Sequence, residues 1–391
     1  MNLQILHKTV QEYISKNLNE DLSKILFKGT NFEKVSSKEI VEQIEAKKKC
    51  SSKLPTWFDA SGIYFPNKLN IEQTSSELTA KYKSELINGK SIVDVTGGFG
   101  VDCYYFSKKF ESVIHCDLNE NLSKIVKHNY AQLDVSNIET FSTNGIEYVI
   151  NSTNKFDWIY IDPSRRNDVK GKVFLLKDCL PDVPENLSSL FKKSSNILIK
   201  TSPILDLKSA INELEFVKEI HIVAVKNEVK ELLFLLEKDY TESINIKTVN
   251  ILKQSNQTFN FELSIESNSV YSQPLAYLFE PNSAILKSGG FQNVSNQFQI
   301  AKLHQHSHLY TSENLITFPG RRFKIKANIQ YDKKQLRKLI PTGKANITTR
   351  NFPQSVMDIR KKTKLKDGGK DYLFFTTNLD GKHIVLVCEK L

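Results

Sequence analysis

The N-terminal stretch MNLQILHKTVQEYISKNLNEDL lacks the unbroken apolar run that a secretory leader or a membrane span requires, because polar residues interrupt it throughout. The expected location is the cytoplasm. Cysteine is scarce: Cys50, Cys103, Cys116, Cys179 and Cys388 are widely spaced, and no C-x-x-C pair occurs. Zinc ribbons and dithiol redox motifs are thereby excluded, and buried, reduced thiols are expected. His304, His306 and His308 alternate, so on a strand they would share one face at metal-ligand spacing. No cysteine or carboxylate completes that set nearby, so packing and hydrogen-bonding roles are expected, and no metal. Internal repeats are absent as well.

What is present is a chain of 391 residues with an ordinary apolar fraction of 40%, long enough for two or three domains. Residues 1–72 carry apolar positions at helical spacing (Val10, Tyr13, Ile14; Leu22, Ile25, Leu26), with a capping box at Ser36 and Glu39. They predict a helical N-terminal domain and a connector, KLPTWFDASGIYFPNKLNIEQ, in which Trp57, Phe58, Tyr64 and Phe65 are read as interdomain packing rather than a base platform. A second box, Thr74 with Glu77, opens a helix that Asn88-Gly89 ends. Residues 73–240 then alternate short apolar runs (SIVDV, SVIHCD, FDWIYID, NILIK, EIHIVAV, ELLFLLE) with helical stretches, which predicts an α/β domain with a parallel sheet. Residues 241–318 read as a small strand-rich module beginning with a hairpin, and 319–391 as a final module of mixed helix and strand.

The formal charge of +10 is unevenly spread. From Pro319 onward 18 Lys or Arg face 6 Asp or Glu, a net of +12, so the rest of the chain is slightly acidic. The densest basic runs are Arg321, Arg322, Lys324 and Lys326, then Arg360, Lys361, Lys362 and Lys364. Neutralising phosphates releases counter-ions, which makes this module a candidate RNA anchor; the bland alternative is a solvated face.

The most informative segment is Asp94-Val95-Thr96-Gly97-Gly98-Phe99-Gly100, where a strand runs into a helix through glycines that let backbone approach a ligand. A dinucleotide fingerprint would need a third glycine where Cys103 stands, and a P-loop would need Gly-Lys-Ser/Thr. Neither is found. S-adenosylmethionine (AdoMet) carries a sulfonium and an amino-acid tail instead of a pyrophosphate, and an acid at the strand end, Asp94, suits it. Asp117 ends the next apolar run 23 positions on, one β-α-β step, where a carboxylate accepts ribose hydroxyls. Asn144, beside Gly145 after the third run, is the candidate for the adenine edge. Asp94, Thr96, Gly97, Gly98, Gly100, Asp117 and Asn144 are therefore the expected cofactor residues.

The fourth run ends in Asp162-Pro163-Ser164-Arg165-Arg166, on the same sheet edge. Methyl transfer needs alignment more than a nucleophilic side chain. For an amine acceptor, Asp162 and the Pro163 carbonyl would accept its N–H groups. Asp162, Pro163, Ser164 and Arg165 are the candidate catalytic loop. Arg166 and Lys200, with Arg321 and Arg322 of the basic module, are candidate contacts to substrate phosphate.

The turn, Asp117 and D-P-S-R-R together resemble class I AdoMet-dependent methyltransferases. More narrowly, IEQTSSELTAKYK, DVTGGFGVD, YIDPSRR, LHQHSHLYTS, FPGRRFKI and KLKDGGKDYLFFTT look like the bacterial methyltransferases that carry a C-terminal THUMP-like domain. The resemblance spans nearly the whole chain. It implies a helical N-terminal region, a Rossmann-like catalytic domain, a ferredoxin-like piece and a THUMP-like end, with RNA as the substrate. Two positions depart from wider patterns. Thr96 stands where many class I enzymes have glycine, and Ser164 and Arg165 replace the second proline and the aromatic ring of nucleic-acid amino-methylases. A protein that binds AdoMet and RNA without catalysis, and a small-molecule methyltransferase, remain the alternatives.

Overall fold

Ser36 caps the helix Ser37–Lys53: its hydroxyl accepts the Glu39 N–H, and the Glu39 carboxylate accepts the Ser36 N–H in return. The predicted box is therefore reciprocal in the computed structural model, which describes residues 1–165, 175–263 and 268–391. The second box differs from the expectation. Ser76, not Thr74, caps the helix Glu77–Leu86, and Thr74 ends the preceding helix Lys68–Gln73. Glu77 is drawn away, accepting from the Thr56 N–H and hydroxyl and from the Tyr105 hydroxyl.

The chain divides into two compact units, Met1–Lys218 with Leu232–Glu242, and Glu219–Glu231 with Ser243–Leu391. In the first unit the strands are β1 (Ser91–Asp94), β2 (Ser112–Asp117), β3 (Ile138–Ser142), β4 (Trp158–Ile161), the short pair β5 (Ser164–Arg165) and β6 (Cys179–Leu180), and β7 (Asn196–Thr201). Next come β8 (Val217–Val225) and β9 (Glu228–Glu237). The sheet runs β3-β2-β1-β4-β7-β9, with every pairing parallel except β7 to β9. The antiparallel β9 corrects the expectation for ELLFLLE. Lys226 and Asn227 both take positive φ (51° and 65°), which makes a tight reversal between β8 and β9 and returns the chain antiparallel. Burial on both faces explains the continuous apolar runs: Ile159–Ile161, Ile197–Ile199 and Leu232–Leu236 are all buried. Because β1 lies between β2 and β4, the chain runs from β1 through β2 to β3 on one side and crosses back to β4 on the other. In open α/β sheets such a switch point is where ligands bind, beyond the carboxyl ends of the strands.

In the second unit β10 (Asn245–Ile251) pairs antiparallel with β11 (Gln257–Glu262), the hairpin that the alternation predicts. A seven-stranded sheet follows: β12 (Tyr277–Pro281), β13 (Ala301–Lys302), β14 (Tyr310–Ser312), β15 (Gly320–Gln330), β16 (Asn346–Arg350), β17 (Asp371–Thr377) and β18 (His383–Lys390). Its order is β13-β14-β12-β15-β18-β17-β16, so the small strands before Pro319 and the basic segment after it share one sheet through β12 and β15. One core joins Leu336 and Ile359, from the helices Lys333–Leu339 and Val356–Thr363, to Leu373, Phe375, Val385 and Val387. A second holds Leu278, Leu303, Phe323, Phe374 and Leu386. Among the described residues no helix is long and apolar enough to cross a membrane.

Candidate active site

The glycine turn is a set of close approaches. The Gly97 N–H donates to the Cys116 carbonyl at 2.8 Å, and a Cβ at Gly97 would lie 2.3 Å from the buried His115 ring. Gly100 has φ +77°, begins the helix Val101–Phe106, and would drive a Cβ to 2.1 Å from the Tyr130 hydroxyl. Gly98, at φ +53°, has open space where a Cβ would stand, apart from the Thr96 carbonyl of its own turn at 3.8 Å, so a side chain is missing where the turn faces outward. The Phe99 side chain points back into the molecule, 6.1 Å from Trp57 between ring centroids, and Trp57 also packs edge-on against Tyr104 at 4.8 Å. Trp57 is thus a packing residue.

Asp94 is 1% exposed. Its Oδ1 accepts from the Thr96 N–H (2.9 Å) and hydroxyl (3.2 Å), and its Oδ2 from the Cys103 thiol (3.3 Å). Burial pushes the Asp94 carboxyl up to about 8, against the Thr96 hydrogen bond and with help from the neighbouring Asp102. Thr96 does more than tolerate the missing glycine. Its hydroxyl also accepts the Asp162 N–H at 2.7 Å, tying the end of β1 to the end of β4.

Asp117, at the tip of β2, accepts the Gly98 N–H on Oδ2 (3.0 Å) and the Asn119 N–H on Oδ1 (2.7 Å). Each oxygen keeps a lone pair for a further donor. Asn144 follows β3 but caps the helix Gly145–Asn151, its oxygen accepting from the Ile146 N–H at 3.0 Å and its amide donating to Glu147 at 3.0 Å. At the end of β4, Asp162 forms an ion pair with Lys200 from β7, so Lys200 serves Asp162 in this structure. Pro163 is buried, and Ser164 and Arg165 pair with Leu180 and Cys179 in the β5–β6 ladder. Arg166 lies outside the described residues.

Three buried residues behind the turn escaped the sequence reading. Lys83 is fully buried and meets Asp102 at 3.2 Å, while Ser75 (2.8 Å) and Tyr160 (2.9 Å) donate to the other Asp102 oxygen. Burial would raise the Asp102 carboxyl, but Lys83 and then Lys200 outweigh it and hold it below its ordinary value. His115 Nε2 donates to the Gly98 carbonyl (3.1 Å), and burial keeps its imidazole pKa low. A lysine inside a polar helix leaves no local signal; the second aspartate of DVTGGFGVD was the available clue.

In the second unit Glu280, 3% exposed, pairs with both Arg321 and Arg350, and Arg321 lies 5.5 Å from the Phe323 ring centre. Arg322 donates to the Ile316 carbonyl at 3.4 Å, and Arg360 is held by Asp367 and the Leu365 and Ala345 carbonyls. These arginines brace the sheet. Lys333, Lys334, Lys338, Lys361, Lys362 and Lys364 are exposed on and beside its two helices. The His304–His308 segment is a turn, not a strand, so the alternation does not place the three rings on one face.

Residues 320–390 match the family model of a THUMP domain-like module, and residues 277–319 that of a ferredoxin-like domain. None of the curated proteins matches the chain. Among solved structures, the "putative methyltransferase" from Porphyromonas gingivalis W83 is 32% identical, with a TM-score of 0.87 over 99% of this chain and 98% of that one. Much weaker likenesses include an rRNA methylase from Streptococcus thermophilus (16% identity, TM-score 0.30, 41% of this chain and 94% of that one). Another is M. capricolum TrmK in complex with S-adenosyl-homocysteine (18%, 0.31, 41% and 68%). The sheet order with its antiparallel β9 and the glycine turn after β1 define a class I methyltransferase fold. The chain belongs to the methyltransferase family of the P. gingivalis protein, with a ferredoxin-like and a THUMP-like domain following that fold.

Proposed function

We propose that this chain transfers a methyl group from AdoMet to RNA, tRNA or rRNA, at the crevice beyond β1, β2 and β4. The observation that carries the reading is the convergence of the open Gly98 backbone, the Asp117 carboxylate and the Asp162–Lys200 pair on one sheet edge, with Thr96 bonded to both strand tips.

The residues fit the cofactor: the missing side chain at Gly98 leaves open space on the outer side of the turn, and Asp117 keeps acceptor capacity where ribose hydroxyls would arrive. Gly97, Gly98 and Gly100 with Thr96 would hold it, Asp94 would fix the turn from beneath through its bonds to Thr96 and Cys103, and Asn144 would act through the helix it caps. When bound, AdoMet supplies an electrophilic methyl on a sulfonium. The chain's own residues do the rest. The Asp162–Lys200 pair fixes a carboxylate at the crevice, where it accepts an N–H of the acceptor and stabilises positive charge as the new bond forms. The Pro163 carbonyl would accept a second N–H of the acceptor, and Ser164 follows it at the start of β5. Alignment is the main contribution of such a site.

The exposed lysines of the THUMP-like domain support RNA as the substrate class, because phosphate neutralisation is additive over several cations. Calorimetry with AdoMet tests the cofactor half. Asp117→Ala should weaken binding about tenfold or more, the worth of a charged hydrogen bond. Unchanged affinity would remove Asp117 from the cofactor site. Asp162→Ala should leave AdoMet affinity within about twofold while turnover falls about a hundredfold; equal losses would place Asp162 on the cofactor instead.

A further inference from the structure

Within the second unit a cavity of about 290 Å³ is lined by Tyr271, Gln292, Asn293, Lys302, His306 and His308, with Phe291 and Gly289. No acidic side chain lines it. Lys302 is 3% exposed, yet among the described residues its ammonium donates to one acceptor, the Gln305 carbonyl at 2.9 Å, and no carboxylate pairs with it. An ammonium buried without a counter-charge is strongly unfavourable, and burial accordingly lowers its pKa. The Phe291 ring, centred 5.6 Å from Nζ, compensates only in part.

Other features of the cavity favour the same ligand chemistry. The helix Phe291–Phe298 starts at Gly290 with no side-chain cap, and Gln292 and Asn293 of its first turn line the cavity at the positive end of the helix. His308 stacks on Phe291 with 3.5 Å between ring centres, its backbone held at φ +51°. Its Nδ1 is buried and has no hydrogen-bond partner. The cavity thus combines a cation without a counter-ion, unfilled donors and a stacked ring wall, at a size that matches a small ligand.

We propose that this cavity binds the phosphate group of a nucleotide-sized phosphate ester, with Lys302 as counter-ion and the first turn of Phe291–Phe298 as backbone donor. A phosphate brings several acceptor oxygens and negative charge, which meet the spare Lys302 N–H groups, the helix N–H groups and the His306 ring together. The site lies apart in sequence from the methyl-transfer residues and does not depend on that reading. Its phosphate comes either from a free nucleotide or from the end of an RNA chain.

The full-length protein is titrated by calorimetry with AMP, with a 5′-phosphorylated tetraribonucleotide and with the same oligonucleotide dephosphorylated. Saturable binding of AMP and of the phosphorylated oligonucleotide is expected, with the dephosphorylated one at least about tenfold weaker. Tighter binding of the phosphorylated oligonucleotide than of AMP assigns the site to an RNA end; equal or weaker binding assigns it to free nucleotides. Lys302→Gln should weaken phosphate binding about tenfold or more, with AdoMet affinity unchanged in the same samples. Asn293→Asp covers the case in which Lys302→Gln does not fold. An acid in the first turn favours the helix but repels phosphate, so binding should fall about fivefold or more without a lower unfolding midpoint. Absence of saturable binding by either phosphorylated probe, or affinity within about twofold of wild type in the folded variants, overturns the proposal.

Discussion

Asp94 shows how burial converts a strand-end acid into a structural element. Its folded pKa, lifted to about 8 from an ordinary 3.8, means that the folded chain keeps a proton the unfolded chain has released between those values. Stability contributed by this proton is complete below pH 4 and is lost as pH rises through 8. Asp94→Asn should therefore flatten the fall in unfolding free energy between pH 5 and 8, by on the order of 4 kcal/mol. An unchanged slope in denaturant titrations at several pH values would show that Asp94 is ionised throughout. Gly97→Ala poses a steric test, because the new methyl group meets the His115 ring inside a packed interior. A loss on the order of 1–3 kcal/mol is expected from chemical denaturation, with AdoMet affinity reduced as the turn shifts. At this scale the sequence was a good guide to positions and a poorer one to partners. Asp94, Asp117 and Asp162 stand at the strand tips their spacing implied. Asn144 is engaged as a helix cap and Lys200 with Asp162, because a side chain able to meet a ligand can equally meet its own backbone or a neighbouring strand.

The elements repeat that lesson. The parallel strands were legible because both faces are buried and their apolar runs are unbroken. The reversal at β9 was not, since Lys226-Asn227 lacks the glycine that usually announces a two-residue hairpin. Ser36 and Glu39 formed the box their spacing implied, whereas Thr74 lost to Ser76 once Glu77 was claimed by Thr56 and Tyr105. The basic strand β15 is the sharpest case. Arg321 looked like a phosphate contact in the sequence, but it joins Arg350 around buried Glu280 and fastens β15 and β16 to β12. Glu280→Ala leaves two half-exposed guanidinium groups without their shared partner, and a destabilisation on the order of 2 kcal/mol is expected in urea unfolding. Arg321→Ala should likewise cost stability before it costs RNA affinity. A variant of normal stability with weakened RNA binding would return Arg321 to the RNA surface.

At the scale of the whole molecule, the ferredoxin-like and THUMP-like segments form one sheet. Cutting the chain at Pro319 would remove four of its seven strands, so truncation cannot separate RNA binding from folding. Charge reversal is the cleaner probe. Replacing Lys361 and Lys364 by Glu should weaken RNA binding about tenfold and lower its salt dependence, with AdoMet affinity unchanged, as measured by titration at several salt concentrations. The family and the fold followed from motifs whose chemistry is local, and the same motifs put Asp94, Asp117 and Asp162 at the strand tips. Lys83, Asp102 and His115 did not, because they become neighbours only when the sheet closes over them. The most direct measurement incubates the full-length chain with methyl-labelled AdoMet and total RNA from cells lacking it. Label should enter RNA with the wild-type protein and fall about a hundredfold with Asp162→Ala. Measurable AdoMet binding with no label in RNA would contradict the account.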